Sequence, residues 1–298
     1  MEVSATEWER GRFDARRGPQ RVLFGRMYED AGIELSVFTP GTRVFCIASA
    51  GCTAMKLAPR HEVLAVDINP VQLAYAARRF EGAPAMRGTA ERVMDLGRRF
   101  APLVGWPRAR VREFLDFDDA ERQLAYFRAH LDTRRFRAAL DGFFSLTALR
   151  AVYARGFLDF LPPHLGRVMR GRMERGFARH PNRSNPYARA LLAGEPAADA
   201  APPEARGIRL AQADAAAFLE AQPAGRVHGF TLSNILDGAT AAYRQRLFAA
   251  VQRAAAPGAV AVLRSFGEPP PGLAGNRAAD DRSMLWGIVQ VVSPAELR

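Results

Sequence analysis

The stretch from Arg43 to Leu73, RVFCIASAGCTAMKLAPRHEVLAVDINPVQL, constrains the fold more than any other part of the chain. Its apolar run Val44-Phe45-Cys46-Ile47-Ala48 suits a strand covered on both faces, as in a parallel sheet, rather than one with a wet side. The small residues Ser49-Ala50-Gly51-Cys52-Thr53-Ala54 follow at once and leave room for a ligand to approach the main chain. Ala54 to Ala58 reads as one or two helical turns. A turn at Pro59-Arg60-His61 leads into a second buried strand, Val63 to Val66, which ends in Asp67. This is a β-α-β unit with an acid at the tip of its second strand, the geometry that holds an adenosine by its ribose hydroxyls. A dinucleotide site wants a glycine-rich turn beneath its pyrophosphate, and here Gly51 stands alone where G-x-G-x-x-G has three glycines. S-adenosylmethionine carries no phosphate and tolerates a looser turn, so the spacing favours it over NAD. Ala48, Ser49, Gly51, Asp67, Asn69 and Gln72 are the cofactor contacts expected from this unit. The bland alternative is a β-α-β unit that binds no nucleotide and ends its strand on a solvated Asp67.

After Asp67 the sequence INPVQL turns into a helix, with Pro70 where a first-turn proline is welcome. A simple doubly wound domain returns to a strand soon afterwards. Here the spacing stays helical from Ala76 to about Leu165, as in Leu124, Phe127, Leu131 and in Phe144, Leu149, Val152, Tyr153. The composition EPAADAAPPEAR, residues 195 to 206, reads as a linker back to the sheet. Strands are then expected at Ile208 to Gln212, followed by Asp214 where a side chain reaches an adenine amino group, and at Val227 to Leu232, followed by Ser233 and Asn234. A helix over Ala241 to Ala255 leads through Pro257-Gly258 to a strand ending at Leu263, with Arg264 and Ser265 at its exit. A last strand is expected near Trp286 to Val292. The fold class is α/β, with a Rossmann-like sheet of the kind that S-adenosylmethionine-dependent methyltransferases use and a large inserted helical subdomain. Residues 1–40 are expected to form an N-terminal helical arm, 41–75 and 207–298 the cofactor domain, and 76–206 the helical, basic insertion. In the arm, RVLFGRMYED at 21 to 30 places Glu29 and Asp30 just before the first strand, where such a segment crosses a cofactor mouth or else forms a surface helix with solvated acids.

The formal net charge is +11, and residues 76 to 206 carry nine of those charges. Nearly all of the basic residues are arginine; Lys56 is the one lysine. Seven arginines face one acid, Glu174, in HLGRVMRGRMERGFARHPNRSNPYAR, residues 164 to 189. On a helical wheel Met169, Met173 and Phe177 share one face, with Arg172, Arg175 and Arg179 roughly opposite. Such a helix lies on an anionic membrane surface, or packs in a core with a solvated basic face. Few aromatics accompany it and it has no RNA-binding motif, so nucleic acid is not an expected partner. Cys46 and Cys52 have no metal-ligand spacing, and no metal is expected. No apolar run approaches the roughly eighteen residues of a membrane span, and residues 1 to 20 lack the pattern of a signal peptide. A cytoplasmic, peripherally membrane-associated protein is expected.

Taken together, FGRMYED at 24 to 30, VFCIASAGCTAMKL at 44 to 57, VLAVDINPVQLA at 63 to 74, NPYARALLAG at 185 to 194, VHGFTLSNILD at 227 to 237, LRSF at 263 to 266 and DRSMLWG at 281 to 287 resemble the betaine-lipid synthesis family. Its characterised activity is S-adenosylmethionine:diacylglycerol 3-amino-3-carboxypropyltransferase. The matches span most of the chain, and their order and spacing are more specific than any one of them. The resemblance implies a methyltransferase-like fold, S-adenosylmethionine, and a diacylglycerol acceptor at a membrane surface. One departure is visible: the family continues the DRS motif with a tyrosine, paired glycines, an aromatic and a histidine, where this chain has Leu285-Trp286-Gly287-Ile288-Val289-Gln290. If that segment meets the acceptor, a different lipid, alcohol or amine is expected.

Transfer of the aminocarboxypropyl group needs a clamp on the amino acid end of the donor, since that end is the cargo. Arg264 with Ser233, Asn234 or Arg282 is the expected clamp, and an ion pair of the arginines with Asp280 or Asp281 is the alternative. A glycerol hydroxyl is a poor nucleophile and requires a base within hydrogen-bond reach. Asp30, Glu29 and His180 are the candidates, in that order; a loop histidine satisfied by its neighbours is the other reading of His180. Two rival functions stand beside this one: methyl transfer to a small molecule or lipid, and a non-enzymatic binding protein.

Overall fold

A computed structural model describes residues 21–145, 161–195 and 201–298. Its centre is a six-stranded sheet of β1 (Arg43–Ile47), β2 (Glu62–Asp67), β3 (Arg209–Gln212), β4 (Val227–Thr231), β5 (Ala255–Ser265) and β6 (Ile288–Val292), in the order β3-β2-β1-β4-β5-β6. The first five run parallel, and β6 pairs antiparallel with β5 at the edge. The fold is therefore α/β with a mostly parallel, Rossmann-like sheet.

The apolar run in β1 is buried because both sides of the sheet are covered. Val44 and Cys46, aligned with Val63 and Ala65 of β2, face one layer, while Phe45, beside Phe230 of β4, faces the other. The first layer contains α1 (Gly32–Val37), α2 (Cys52–Leu57) and α3 (Pro70–Phe80), through Ile33, Met55, Leu57, Ala76 and Phe80. The second contains α10 (Ala215–Ala221) and α11 (Ala241–Ala254), through Leu219, Leu247 and Val251. The numbers between belong to α4 (Thr89–Phe100), α5 (Arg108–Leu115), α6 (Ala120–Tyr126), α7 (Arg134–Phe143), α8 (Leu165–Phe177) and α9 (Pro186–Ala193). No strand occurs among the described residues between β2 and β3. The helices there share their own core of Trp106, Phe114, Leu115, Phe127, Leu131, Phe136 and Phe177. The spacing at Leu149, Val152 and Tyr153, and the first half of the expected arm, fall outside the described residues.

Three expectations change. Residues 21–31 form no helix; they run as an irregular, largely buried strip, and the helix within the described part of the arm is α1, whose Ile33 and Glu34 are buried. Strand β5 starts before Pro257-Gly258 and keeps going through it, because β4 and β5 shift register between Val227 and Gly229. The third change concerns α8. Met169 and Phe177 are buried as expected, but so is Arg172. Its guanidinium donates to the carbonyls of Leu285 (2.6 Å), Phe266 (2.8 Å) and Gly267 (3.1 Å) and pairs with Glu268 at 2.5 Å. Arg175 donates to the Trp286 carbonyl at 2.9 Å, and Arg179 meets Asp280 at 2.5 Å. Arg172 and Arg175 thus fasten the helix to the loop between β5 and β6, while Arg179 stays exposed beside Asp280. No helix among the described residues is long and apolar enough to cross a membrane.

Candidate active site at the strand tips

Strand order reverses between β1 and β4, and open α/β sheets bind ligands in the crevice beyond the carboxyl ends at such a point. A non-glycine residue with left-handed backbone sits two positions past each of these strands: Ser49 with φ +42° and Ser233 with φ +52°. Such conformations cost on the order of 1–3 kcal/mol each and persist where the surroundings over-determine them. At Ser49 the turn aims its N–H at Asp67 Oδ2, 2.9 Å away, while the Asn69 N–H donates to Oδ1 at 2.8 Å. Asp67 is thereby fixed at the tip of β2, and burial lifts its pKa to about 6 against those two hydrogen bonds.

At Ser233 the hydroxyl donates to Glu29 Oε1. Glu29 lies on the strip before α1, and its other oxygen, Oε2, is buried with no hydrogen-bond partner. Burial, only partly offset by Arg264 and Ser233, raises the Glu29 pKa to about 7. The strip is held in place by side chains from four directions. Gln72 accepts from the Leu23 N–H and donates to the Phe24 carbonyl, both at 2.9 Å. Tyr75 donates to the Gly25 carbonyl at 2.7 Å. Glu91 accepts from the Gly25 N–H at 2.8 Å, and Trp286 donates to the Tyr28 carbonyl at 2.9 Å. Tyr187 donates to the Glu29 carbonyl at 2.6 Å. A carboxylate oxygen that accepts no hydrogen bond, with Arg264 Nη1 3.8 Å away and a near-neutral pKa, on a backbone this firmly anchored, is equipped to take a proton at neutral pH.

The other expected site residues have different work. Asp30 is clamped by two nitrogens of Arg282, Nε and Nη2, at 2.5 and 2.7 Å, and by the Gly32 N–H, so its pKa falls despite partial burial. An acid held in its charged form by a fork of this kind is a weak base. His180 Nε2 lies 2.8 Å from the Ala279 carbonyl, which takes up that nitrogen as a donor. Arg264 is fully buried: it forks onto Glu34 at 2.5 and 3.1 Å, and donates to Asp281 at 3.0 Å and to the Asp30 carbonyl at 3.1 Å. It is the centre of a buried ion cluster and has no free face for a substrate carboxylate. Asp281 is one of the partners expected from the sequence, and Glu34 is an unexpected one.

Several cofactor candidates are structural as well. Asn69 caps α3 by accepting from the Val71 and Gln72 N–H groups. Asp214 caps α10 through the Ala217 N–H and accepts from the Tyr243 hydroxyl at 2.6 Å, so an adenine amino group would have to compete there. Ala48 is fully buried in the first layer. Asn234 stays partly exposed beside Ser233 and Asp237. Gly51 has φ +82°, and a Cβ there would lie 2.5 Å from the buried Phe80 ring. Its smallness is required by packing against Phe80. Gly51→Ala is expected to cost about 2–4 kcal/mol, from backbone strain plus the overlap, measured as a lower urea midpoint. Unchanged stability with weakened cofactor binding would restore the ligand-approach reading. Cys52 Sγ accepts from the Met27 N–H at 3.3 Å and from Arg79 at 2.9 Å, and is likewise interior.

A positive cluster lies beside the site that sequence reasoning missed. The ring of Tyr187 has Lys56 Nζ 5.5 Å from its centroid, Arg26 at 5.8 Å and Arg282 at 5.9 Å. Lys56 makes no ion pair with a described residue. One signal was present in the sequence: this ammonium group is the only lysine in a chain whose other basic residues are all arginine. Elsewhere, a hollow at the amino-terminal end of β5, lined by Gln252, Ala256, Ala259 and Ser293, contains no titratable group. Among the described residues no cluster of His, Cys, Asp or Glu is arranged to hold a metal ion. Comparison of the chain with protein-family models, with curated proteins and with solved structures returned no match.

Proposed function

We propose that this chain is an S-adenosylmethionine-dependent transferase that moves the 3-amino-3-carboxypropyl group onto the sn-3 hydroxyl of diacylglycerol or a related lipid. The observation that carries the proposal is the convergence, at the β1/β4 reversal, of an oriented Asp67 with a buried Glu29 whose second oxygen accepts no hydrogen bond, each held by a serine in a left-handed turn. In this reading the sheet is of methyltransferase type and the helices between β2 and β3 are an inserted substrate-side subdomain. The order β3-β2-β1-β4-β5 with an antiparallel edge strand supports the first, and the separate aromatic core of the helices supports the second.

S-adenosylmethionine supplies carbons bonded to a sulfonium, and displacement at its methionine γ-carbon by a lipid hydroxyl releases methylthioadenosine. The protein's residues bind and orient around that event. Asp67 accepts from the ribose hydroxyls. Lys56, with the remaining nitrogen of Arg282, forms the clamp expected of Arg264: both flank the ring of Tyr187, whose hydroxyl meets the Glu29 carbonyl, while Arg264 is fully engaged. Glu29 accepts the proton that the hydroxyl loses. This clamp on the cargo end, together with the family-like motifs, favours aminocarboxypropyl over methyl transfer.

The test is incubation with carboxyl-labelled S-adenosylmethionine and diacylglycerol in mixed micelles. Label entering the organic phase, with methylthioadenosine released, is the expected result. Adenosylhomocysteine as the product would assign methyl transfer instead. Asp67→Ala is expected to weaken S-adenosylmethionine binding by about 10–100-fold in calorimetry, since it removes hydrogen bonds to a charged acceptor. Wild-type affinity should fall as pH drops through about 6, where Asp67 takes up its proton. Failure of well-folded wild-type protein to bind the compound would end the proposal.

A further inference from the structure

Helix α4 and the 3-10 turn that continues it, Ala101–Val104, have two dissimilar faces. The inner face is fastened. Glu91 is buried and accepts from the N–H groups of Gly25 and Gly88, Arg98 donates to the Leu191 carbonyl at 2.9 Å, and Ala101 and Val104 pack on the aromatic core of the helices. The outer face carries Leu96, Phe100 and Leu103, which are 51%, 57% and 70% exposed. These three follow the helical repeat, and they are most of the large apolar side chains left in water among the described residues. Arg92, Arg99 and Arg108 are exposed around them and make no ion pair with a described residue. The nearby acid, Asp95, is already paired with Arg87 and Arg98.

We infer that this face docks the protein on an anionic lipid surface, with Leu96, Phe100 and Leu103 entering the headgroup boundary and Arg92, Arg99 and Arg108 meeting lipid phosphates. An apolar stripe rimmed by unpaired arginines is the composition that binds in the plane of such a surface. The arginines around the stripe favour an anionic surface over a second copy of the chain, which would bring the same positive charges face to face. The α4 face is thus the membrane-facing candidate in preference to α8, where Arg172 is buried and Arg170 and Arg175 are held by Asp132 and the Trp286 carbonyl. Glu91 also ties α4 to the strip that carries Glu29. The inference rests on the proposed function only for the acceptor's being a membrane lipid.

The experiment is co-sedimentation of the full chain with phosphatidylcholine vesicles, with and without phosphatidylglycerol, in the absence of donor. The wild type should bind the anionic vesicles and release with salt. The double variant F100E/L103E should bind at least about tenfold more weakly, with an unchanged urea midpoint and unchanged turnover of detergent-dispersed diacylglycerol. R92Q/R99Q/R108Q should flatten the salt dependence. Equal binding by F100E/L103E and wild type, or no binding by the wild type, overturns the inference. So does a solution dimer that F100E/L103E disperses while vesicles go unbound. If vesicle binding maps to this face but no acceptor is ever turned over, the transferase reading fails and the docking face stands.

Discussion

Glu29→Gln is expected to lower the rate of lipid alkylation by about 10²–10⁴-fold, the usual contribution of a general base, while leaving S-adenosylmethionine bound. Glutamine keeps the size of the side chain and a hydrogen bond with Ser233, and loses only the capacity to accept the proton. The wild-type rate should climb with pH through about 7, the pKa to which burial raises Glu29, and the residual rate of the variant should lack that limb. Stability supplies a second readout that needs no substrate. The folded carboxyl keeps its proton at a pH where the unfolded chain has released it, so its contribution is fully present below about 4.5 and is lost as pH rises through about 7. The loss between those values is on the order of 3 kcal/mol, at about 1.4 kcal/mol for each pH interval of one between them. Asp67, with a pKa raised to about 6, slopes the same way, and it cancels when the variant is compared with the wild type. Urea denaturation at pH 5 and pH 8 should therefore show a shallower decline in Glu29→Gln. Full activity in the variant, or an identical decline, removes Glu29 from the role of base.

The largest effect on stability is expected at Arg264. Removing its guanidinium with Arg264→Met leaves the buried carboxyl groups of Glu34 and Asp281 without their cation, which typically costs about 3–5 kcal/mol. The protein is expected to unfold at markedly lower urea concentration or to fail to accumulate. Adding Glu34→Gln should return part of that stability, because the second change removes the carboxylate orphaned by the first; the gain over additivity measures their coupling. A clamp on the donor's carboxylate predicts the opposite pattern: near-normal stability, weakened S-adenosylmethionine binding and no rescue by Glu34→Gln. Lys56→Gln separates the assignments from the other side. It touches only the periphery of the buried cluster and is expected to weaken donor binding with little loss of stability.

Much of the frame was legible in the sequence because its causes are local. Val44 to Ile47 and Val63 to Val66 are apolar at every position, and only strands covered on both faces bury such runs. Asn69-Pro70 and Asn185-Pro186 start helices with a side-chain cap and a proline whose missing N–H costs nothing in the first turn. The β-α-β pattern puts Asp67 at a strand tip, and it is there. The Asn185 cap is equally visible in the sequence, yet the turn formers crowded before it mask the start of helix α9.

The roles of the charged groups were not legible in the same way. Glu29, Asp30 and Glu34 lie within six residues of one another, and nothing in that strip separates a base from an ion-pair partner. Their fates come from Ser233, Arg282 and Arg264, some 200 to 250 positions away in the chain. The same holds for Arg172, whose helical-wheel position said surface and whose carbonyl partners, about 95 to 113 residues further on, drew it inside. Periodicity, capping and turn chemistry act over a few residues, so the sequence alone determined the strands, their order of appearance and the acid at the second tip. A pKa or an ion pair depends on burial and on charges brought together across the whole chain, so only the tertiary structure decided which carboxylate keeps a proton to exchange, which arginine is structural, and which helix face is left bare.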